Sequence, residues 1–143
     1  MDKYDNIKLE NQLCFPLYAL SREIIKLYKP LLEKFDLTYT QYIAMLVLWE
    51  EEKITFKCLG KKLHLDSGTL TPVLKKLEAN NLIKKYRAAE DDRIVIVELT
   101  EKGLRLKNEI LEVPEKMYCV SGVSVEEVTE LKSILDTVLK RFN

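Results

Sequence analysis

The sequence predicts a mainly helical protein with one small β-hairpin, and three observations carry this expectation. Apolar residues recur at helical spacing near both ends, two short helical stretches in the middle are separated by two residues, and two strand-like runs follow them. At 143 residues the chain is long enough for one domain, 1–143, with a hydrophobic core. No apolar stretch approaches the roughly 20 residues of a membrane span, and no signal-peptide core opens the chain. We therefore expect a cytoplasmic protein without a membrane partner.

The first two predicted elements are helices. We expect an amphipathic helix over Cys14–Tyr28, because Pro16 is tolerated only in a first turn and Pro30 ends or bends a helix. A second helix is expected over Thr38–Trp49, since Gln41 lies three residues after the threonine in a capping-box pattern. The second helix is apolar nearly all round, which predicts a central position. The first presents one apolar stripe, formed by Leu13, Leu17, Leu20, Ile24 and Leu27.

The middle of the chain predicts a helix-turn-helix followed by a hairpin. Two short helices are expected over Thr55–Leu63 and Asp66–Asn80. Because only two residues join them, the pair indicates a helix-turn-helix. The runs Leu82–Arg87 and Ile94–Leu99 have strand character, and residues 88–93 between them form a polar tip. Two strands with a charged tip directly after a helix-turn-helix form a wing, so residues 53–99 are expected to be a winged helix-turn-helix.

The last third of the chain is again helical. Thr100 opens a helix whose end region is marked by Pro114 and Gly122. Ser124 caps the final helix, with Glu127 at the capping-box position. This final helix carries one apolar stripe, formed by Val128, Leu131, Leu135, Val138 and Phe142.

The charge distribution points to a nucleic-acid partner. The formal net charge is zero, but residues 53–87 hold nine basic and two acidic side chains, a local balance of +7. A basic middle segment between acidic terminal segments is typical of a protein that binds DNA through its middle and uses its ends for a different function. The terminal helices, in 1–35 and 100–143, have more apolar surface than one winged core covers. We therefore expect an intertwined homodimer that binds a pseudo-palindromic operator.

The three cysteines are expected to be free thiols. Their spacing fits neither a disulfide framework nor a zinc site, and a metal sensor would find poor ligand spacing around a single histidine. No metal or other cofactor is expected. Cys14 at a helix N-terminus would experience the positive end of the helix dipole, which favours the reactive thiolate. Cys58, inside the first helix of the helix-turn-helix, is expected to be a small core hydrophobe.

The chain resembles the MarR family of winged-helix regulators. The resemblance spans essentially the whole chain and is carried by the order of elements, by the run 63–72 (Leu-x-Leu-Asp-Ser-Gly-Thr-Leu-Thr-Pro), by Leu82-Ile83 and by Asp91-Asp92-Arg93. Within the family, the cysteine and tyrosine pattern is similar to the organic hydroperoxide resistance regulators (OhrR). That pattern comprises Leu9–Phe15 around Cys14, Tyr18, Tyr28–Leu32 and Tyr39-x-Gln41-Tyr42.

The DNA-reading residues follow from the helix-turn-helix and the wing. We expect Asp66 to cap the recognition helix, and the short side chains of Ser67, Thr69 and Thr71 to let its first turns approach base edges. Pro72 is expected to adjust the first turns locally without breaking the helix. Lys75 and Lys76 on this helix are expected to bind phosphates, and Arg87 is expected to reach the DNA backbone. In the wing, Asp91 is expected to fix Arg93, which enters the minor groove.

The resemblance implies a repressor that leaves its operator when an organic hydroperoxide oxidises Cys14. It also implies that Tyr28 and Tyr39 hydrogen-bond the thiolate across the dimer interface, and Tyr18 offers a further phenol. Oxidation gives a sulfenic acid that condenses with a second thiol. Cys119 is one candidate for that thiol, and a small external thiol is the other.

Two other functions fit the same sequence. A repressor released by a small aromatic ligand would use Cys14 only to line a pocket. A thiol peroxidase would turn over many equivalents of peroxide with a reductant, whereas a sensor reacts about once per thiol. The wing and the basic middle favour the sensor, so we do not expect an enzyme.

Overall fold

The computed structural model describes residues 2–142 and divides them into two compact units. The winged unit comprises residues 28–112, and the terminal unit comprises residues 2–27 and 113–142. The helices are α1 (Cys14–Glu33), α2 (Tyr39–Glu51), α3 (Phe56–Leu63), α4 (Ser67–Ala79), α5 (Glu101–Glu109), α6 (Glu112–Ser121) and α7 (Val125–Leu139). The strands are β1 (Lys53–Thr55), β2 (Ile83–Arg87) and β3 (Val95–Leu99). Within residues 2–142, no helix is both long enough and apolar enough to cross a membrane.

Helix α1 begins where the sequence predicts but ends later. It starts at Cys14, with Pro16 in its first turn, and it continues through Pro30 to Glu33. The predicted end of the helix at Tyr28 is therefore wrong, because Pro30 does not end it. The proline removes one backbone hydrogen bond, but Leu32 beyond it is fully buried. Burial of that side chain outweighs the local preference against proline.

Helix α2 lies at the centre of the winged unit, as predicted. Its capping box is complete: the Gln41 amide donates to Thr38 Oγ1 (3.4 Å), and the Thr38 amide donates to Gln41 Oε1 (3.1 Å). Six of its thirteen residues are buried. Trp49 packs at its C-terminal end and donates from Nε1 to the carbonyl oxygen of Gly103 (2.9 Å). The helix is therefore tied to α5 by a buried hydrogen bond as well as by apolar contact.

The hairpin is part of a three-stranded antiparallel sheet with the order β1-β3-β2. The sequence predicts β2 and β3 within one residue of their observed starts but misses β1. That strand has three residues, and Ile54 pairs with Val97 of β3. A segment this short carries no readable alternation, and only pairing with β3 makes it a strand.

One predicted helix after the wing is in fact two. Helix α5 ends at Glu109, and α6 begins at Glu112 with Pro114 in its first turn. The proline therefore marks the start of a helix and not the end of one, because a first-turn amide has no helical partner to lose. Gly122, with φ of +67°, follows the end of α6. The capping box of α7 is present as predicted, with the Glu127 amide 3.1 Å from Ser124 Oγ.

Glycine is required at position 103, and Gly103→Ala is expected to destabilise the protein. A Cβ added there would lie 2.3 Å from the Leu82 carbonyl oxygen and 2.7 Å from Leu99 Cδ1, so α5 would have to move. We expect the free energy of unfolding to fall by about 2–3 kcal/mol and Tm by about 5–10 °C. Thermal unfolding followed by circular dichroism measures this. Gly68→Ala is the control, because its added Cβ meets only Asp66 Oδ1 at 3.4 Å, and Tm should hold or rise.

The terminal unit exposes a large apolar surface. Its helical residues include side chains of α1 and α7 that are at least 39% exposed. They are Phe15, Leu17, Tyr18, Leu20 and Ile25 on α1 and Val125, Leu131, Ile134, Leu135, Val138 and Leu139 on α7. A monomeric domain rarely leaves so many large apolar side chains in water.

Candidate functional site

The start of α4 has the geometry of a recognition helix. Asp66 Oδ1 accepts a hydrogen bond from the Thr69 amide (2.8 Å), and this bond is the main reason that the pKa of Asp66 is lowered. The Thr71 hydroxyl donates to the Ser67 carbonyl (2.7 Å). These side chains are exposed, whereas the opposite face of α4 is buried through Leu70, Val73, Leu74 and Leu77. The polar residues predicted to approach base edges therefore share an accessible face.

Pro72 does not interrupt α4, as predicted. The helix runs unbroken from Ser67 to Ala79 with the proline inside it. Lys75 and Lys76 follow on the exposed side of the same helix. Neither lysine forms an ion pair within residues 2–142, so both charges are available to an anionic partner.

The wing tip holds its arginine in a fixed fork. Arg93 donates from Nε to Asp91 Oδ1 (3.0 Å) and from Nη2 to Asp91 Oδ2 (3.1 Å), while 90% of its side chain is exposed. The same pairing lowers the pKa of Asp91 and raises that of Arg93. Arg87 is engaged at the tip as well, because its Nη1 donates to the Asp92 carbonyl (2.6 Å). The predicted Asp91–Arg93 pair is thus present, and the arginine is oriented before any DNA arrives.

Part of the basic charge that the sequence suggests is neutralised within the winged unit. Glu98 on β3 lies between Lys84 on β2 (2.9 Å) and Lys53 on β1 (3.8 Å), and its pKa is lowered chiefly by the hydrogen bond from Lys84. Lys62 pairs with Glu51 (2.9 Å). Both carboxylates lie outside the 53–87 window, so a count within that window overstates the free positive charge.

The two cysteines of the terminal unit are both accessible. Cys14 is the first residue of α1, and Cys119 lies in the last turn of α6; both are exposed. Tyr18 follows Cys14 by four residues on the same helix, which places both on one face. The guanidinium of Arg22 lies 5.4 Å from the centre of the Tyr18 ring.

Cys58 is exposed, so the prediction that it packs in the core is wrong. Helix α3 turns Leu59 and Gly60 toward the core. A residue adjacent to these in sequence lies about 100° around the helix, and Cys58 shares the outer face with Lys62, four residues later.

Tyr28 and Tyr39 come together in the winged unit. Their ring centroids are 4.9 Å apart, and Tyr42 joins them with its centroid 5.7 Å from that of Tyr28. Burial raises the pKa of Tyr39, and burial followed by the neighbouring Tyr39 raises that of Tyr42. The phenols of Tyr39 and Tyr42 therefore remain protonated hydrogen-bond donors at neutral pH. Tyr42 was not predicted as a site residue, although its spacing of three from Tyr39 already placed both on one helix face.

Metal binding finds no support in the described part of the chain. No group of three or more histidine, cysteine, aspartate or glutamate side chains within residues 2–142 has an arrangement that could hold an ion.

These features define a winged helix-turn-helix regulator of transcription: an exposed polar recognition helix, a preceding helix joined to it by a three-residue turn, and a wing with an oriented arginine. The family model of the transcriptional regulators SarA/Rot matches residues 26–110. The chain is 51% identical over 139 residues to the organic hydroperoxide resistance transcriptional regulator of Bacillus subtilis, which covers 97% of this chain and 95% of that protein. The chain therefore belongs to the MarR family, in its organic hydroperoxide resistance (OhrR) branch.

Further relatives agree with this assignment. SarZ of Staphylococcus saprophyticus, an HTH-type transcriptional regulator, is 41% identical over 141 residues, covering 99% of this chain and 96% of its own. Reduced AbfR bound to DNA aligns with a TM-score of 0.80 at 35% identity over 99% of both chains, and AbfR is a protein of Staphylococcus epidermidis. The disulfide form of AbfR aligns with a TM-score of 0.66 over 96% of both chains.

Proposed function

We propose that the chain is a homodimeric transcriptional repressor that binds operator DNA while Cys14 is reduced and releases it when an organic hydroperoxide oxidises Cys14. The observation that carries the proposal is the exposure of Cys14 at the first residue of α1, in a chain 51% identical to an organic hydroperoxide resistance regulator. The accessible sulfur supports reaction with a peroxide, and the oriented wing supports DNA binding.

The oxidation of Cys14 requires no oxidant other than the hydroperoxide. The thiolate attacks the terminal oxygen of ROOH, an S–O bond forms, the O–O bond breaks, and the alkoxide takes a proton to leave as the alcohol. The sulfur loses two electrons and becomes a sulfenic acid. A second thiol then attacks that sulfur, forming an S–S bond and releasing water.

The tyrosines are proposed to orient and stabilise the reactive thiolate. The raised pKa of Tyr39 keeps its phenol protonated, and a protonated phenol is the form that donates to a sulfur anion. Tyr28 lies beside Tyr39, and Tyr18 lies one turn after Cys14. In this proposal, Tyr28 and Tyr39 donate hydrogen bonds to the Cys14 thiolate across the dimer interface. Oxidation converts that thiolate, so the two phenols lose their acceptor.

The DNA contacts divide between two grooves. The first turns of α4, with Ser67, Thr69 and Thr71, are proposed to enter the major groove, where short polar side chains approach base edges. Arg93 is proposed to enter the minor groove with Asp91 fixing its orientation. Backbone phosphates would be held by Lys75, Lys76 and Arg87.

The exposed apolar faces of α1 and α7 support the proposed homodimer. Burying them against a second copy removes large aliphatic side chains from water at about 25 cal/mol per Å². A two-fold dimer presents two recognition helices to two half-sites, which is why we propose a pseudo-palindromic operator.

The test is a fluorescence anisotropy titration of reduced protein with DNA from upstream of its own gene, repeated after cumene hydroperoxide. We expect tight binding before treatment and loss of binding after it. An aromatic ligand that releases the DNA while peroxide does not would favour ligand-controlled repression. Consumption of many equivalents of peroxide per thiol with a reductant present would favour a thiol peroxidase.

A Cys119→Ser variant is expected to change the oxidation product without abolishing the response. If Cys119 resolves the sulfenic acid, wild-type protein gives a disulfide between Cys14 and Cys119, while the variant gives a sulfenic acid or a mixed disulfide with added thiol. Peptide mass spectrometry after one equivalent of hydroperoxide distinguishes these products. An identical product in both proteins would assign resolution to an external thiol.

A further inference from the structure

A cationic groove lies beside the wing in the winged unit. It has a volume of about 370 Å³ and is called here the wing groove; its lining residues are Thr55, Phe56, Lys57, Arg93, Ile94 and Val95. Its lining combines two basic side chains, Lys57 and Arg93, with apolar ones. Of its lining residues, only Arg93 takes part in the DNA contacts proposed above.

The strand register places the wing groove on the tip side of the sheet. Thr55, the last residue of β1, pairs with Ile96 of β3, whereas Lys53 pairs with Glu98 at the other end of the same pair of strands. The chain therefore leaves β1 and enters α3 close to the residues that follow the wing tip. This position is continuous with Arg93, the proposed minor-groove contact, and with α3, the helix that precedes the recognition helix.

The two depressions along this strand pair are lined by charged side chains of opposite sign. No carboxylate of the described residues lines the wing groove, and Lys57 forms no ion pair within residues 2–142. Lys61, one turn later on α3, extends the exposed positive charge. At the far end of the same strands a second depression, of about 330 Å³, is lined by Glu51, Glu52, Glu98 and Glu101 with a single lysine. Lys57 therefore supplies unpaired positive charge beside the wing groove, whereas the charge of Arg93 is shared with Asp91.

We propose that the wing groove binds the sugar–phosphate backbone of one DNA strand, between the major groove entered by α4 and the minor groove entered by Arg93. The Lys57 ammonium pairs with a phosphate, and the apolar side chains of Phe56 and Ile94 that line the groove pack against a deoxyribose. The inference rests on the proposed DNA-binding function. Because lysine is a point charge without a fixed fork of donors, this contact positions the protein on DNA without reading sequence.

The salt dependence of DNA binding tests the proposal. In a dimer, Lys57→Gln removes two phosphate contacts, so the slope of log K against log salt should become less steep by about two. Operator and an unrelated duplex should both bind more weakly by the same factor, on the order of tenfold at 150 mM salt. Lys57→Arg keeps the charge and should restore the wild-type slope. An unchanged slope in Lys57→Gln overturns the proposal.

A control variant and the wild-type titration together separate the possible failures. Lys140→Gln removes an exposed lysine from the terminal unit and should leave the slope within error of wild type. If wild-type protein binds operator but Lys57→Gln matches it at every salt concentration, the groove proposal alone is wrong. That result is also expected if the groove holds a small apolar molecule instead of DNA. If wild-type protein binds no DNA, the proposed function falls and this inference falls with it.

Discussion

A Cys14→Ser variant is expected to bind operator DNA as tightly as wild-type protein and to remain bound after treatment with an organic hydroperoxide. Serine has nearly the shape of cysteine, but its oxygen does not form a sulfenic acid, so the dimer keeps its reduced geometry. Wild-type affinity should fall by about 5- to 150-fold on oxidation, the range typical of coupling between two sites. Anisotropy titrations before and after one equivalent of cumene hydroperoxide measure both values.

The chain supplies its own control for this experiment. Cys58→Ser removes a second exposed thiol, but one that the proposal does not use, and it should respond to peroxide like the wild type. Release of DNA from Cys14→Ser by peroxide would refute sensing through Cys14. Loss of the response in Cys58→Ser would indicate that the sensing thiol is Cys58, in the helix-turn-helix.

An Arg93→Ala variant is expected to lose much of its affinity for operator DNA. The change removes one minor-groove guanidinium from each wing of the proposed dimer, at a cost of about 1–2 kcal/mol for each wing. The combined loss corresponds to about 30- to 1000-fold weaker binding. Because a narrow A·T-rich minor groove attracts arginine most strongly, the loss should shrink when G·C pairs replace the bases under the wing. Anisotropy titrations on both duplexes measure the effect.

Two further variants isolate the role of the wing geometry. Arg105→Ala removes an exposed arginine of α5 in the same unit and should bind within a few-fold of wild type, which controls for net charge. Arg93→Lys keeps the charge but cannot form both bonds to Asp91, so its affinity should lie between those of wild type and Arg93→Ala. Equal losses in Arg93→Ala and Arg105→Ala would argue against an insertion of the wing.

Helix starts are predictable in this chain because their determinants are local. The Thr38 and Ser124 caps each need only a partner three residues away, and both capping boxes are formed. The Asp91–Arg93 pair is equally local, since two residues separate its members. In each case the interaction is encoded within one turn of the chain.

The features that the sequence does not reveal depend on distant contacts. Strand β1 exists because Ile54 pairs with Val97, more than forty residues away. Helix α1 passes Pro30 because Leu32 is buried. Cys58 faces outward because its neighbours on α3 face the core. The proximity of Tyr28 and Tyr39 likewise joins two helices, so spacing alone does not predict it.

The central claim is that the oxidation state of the Cys14 sulfur sets the affinity for DNA. The most direct measurement follows operator binding and the fraction of unmodified Cys14 thiol in the same samples during a stepwise addition of organic hydroperoxide. Our account predicts that both fall together and are exhausted at about one equivalent per Cys14. DNA that leaves while the Cys14 thiol is intact, or stays bound after Cys14 is fully oxidised, would contradict it.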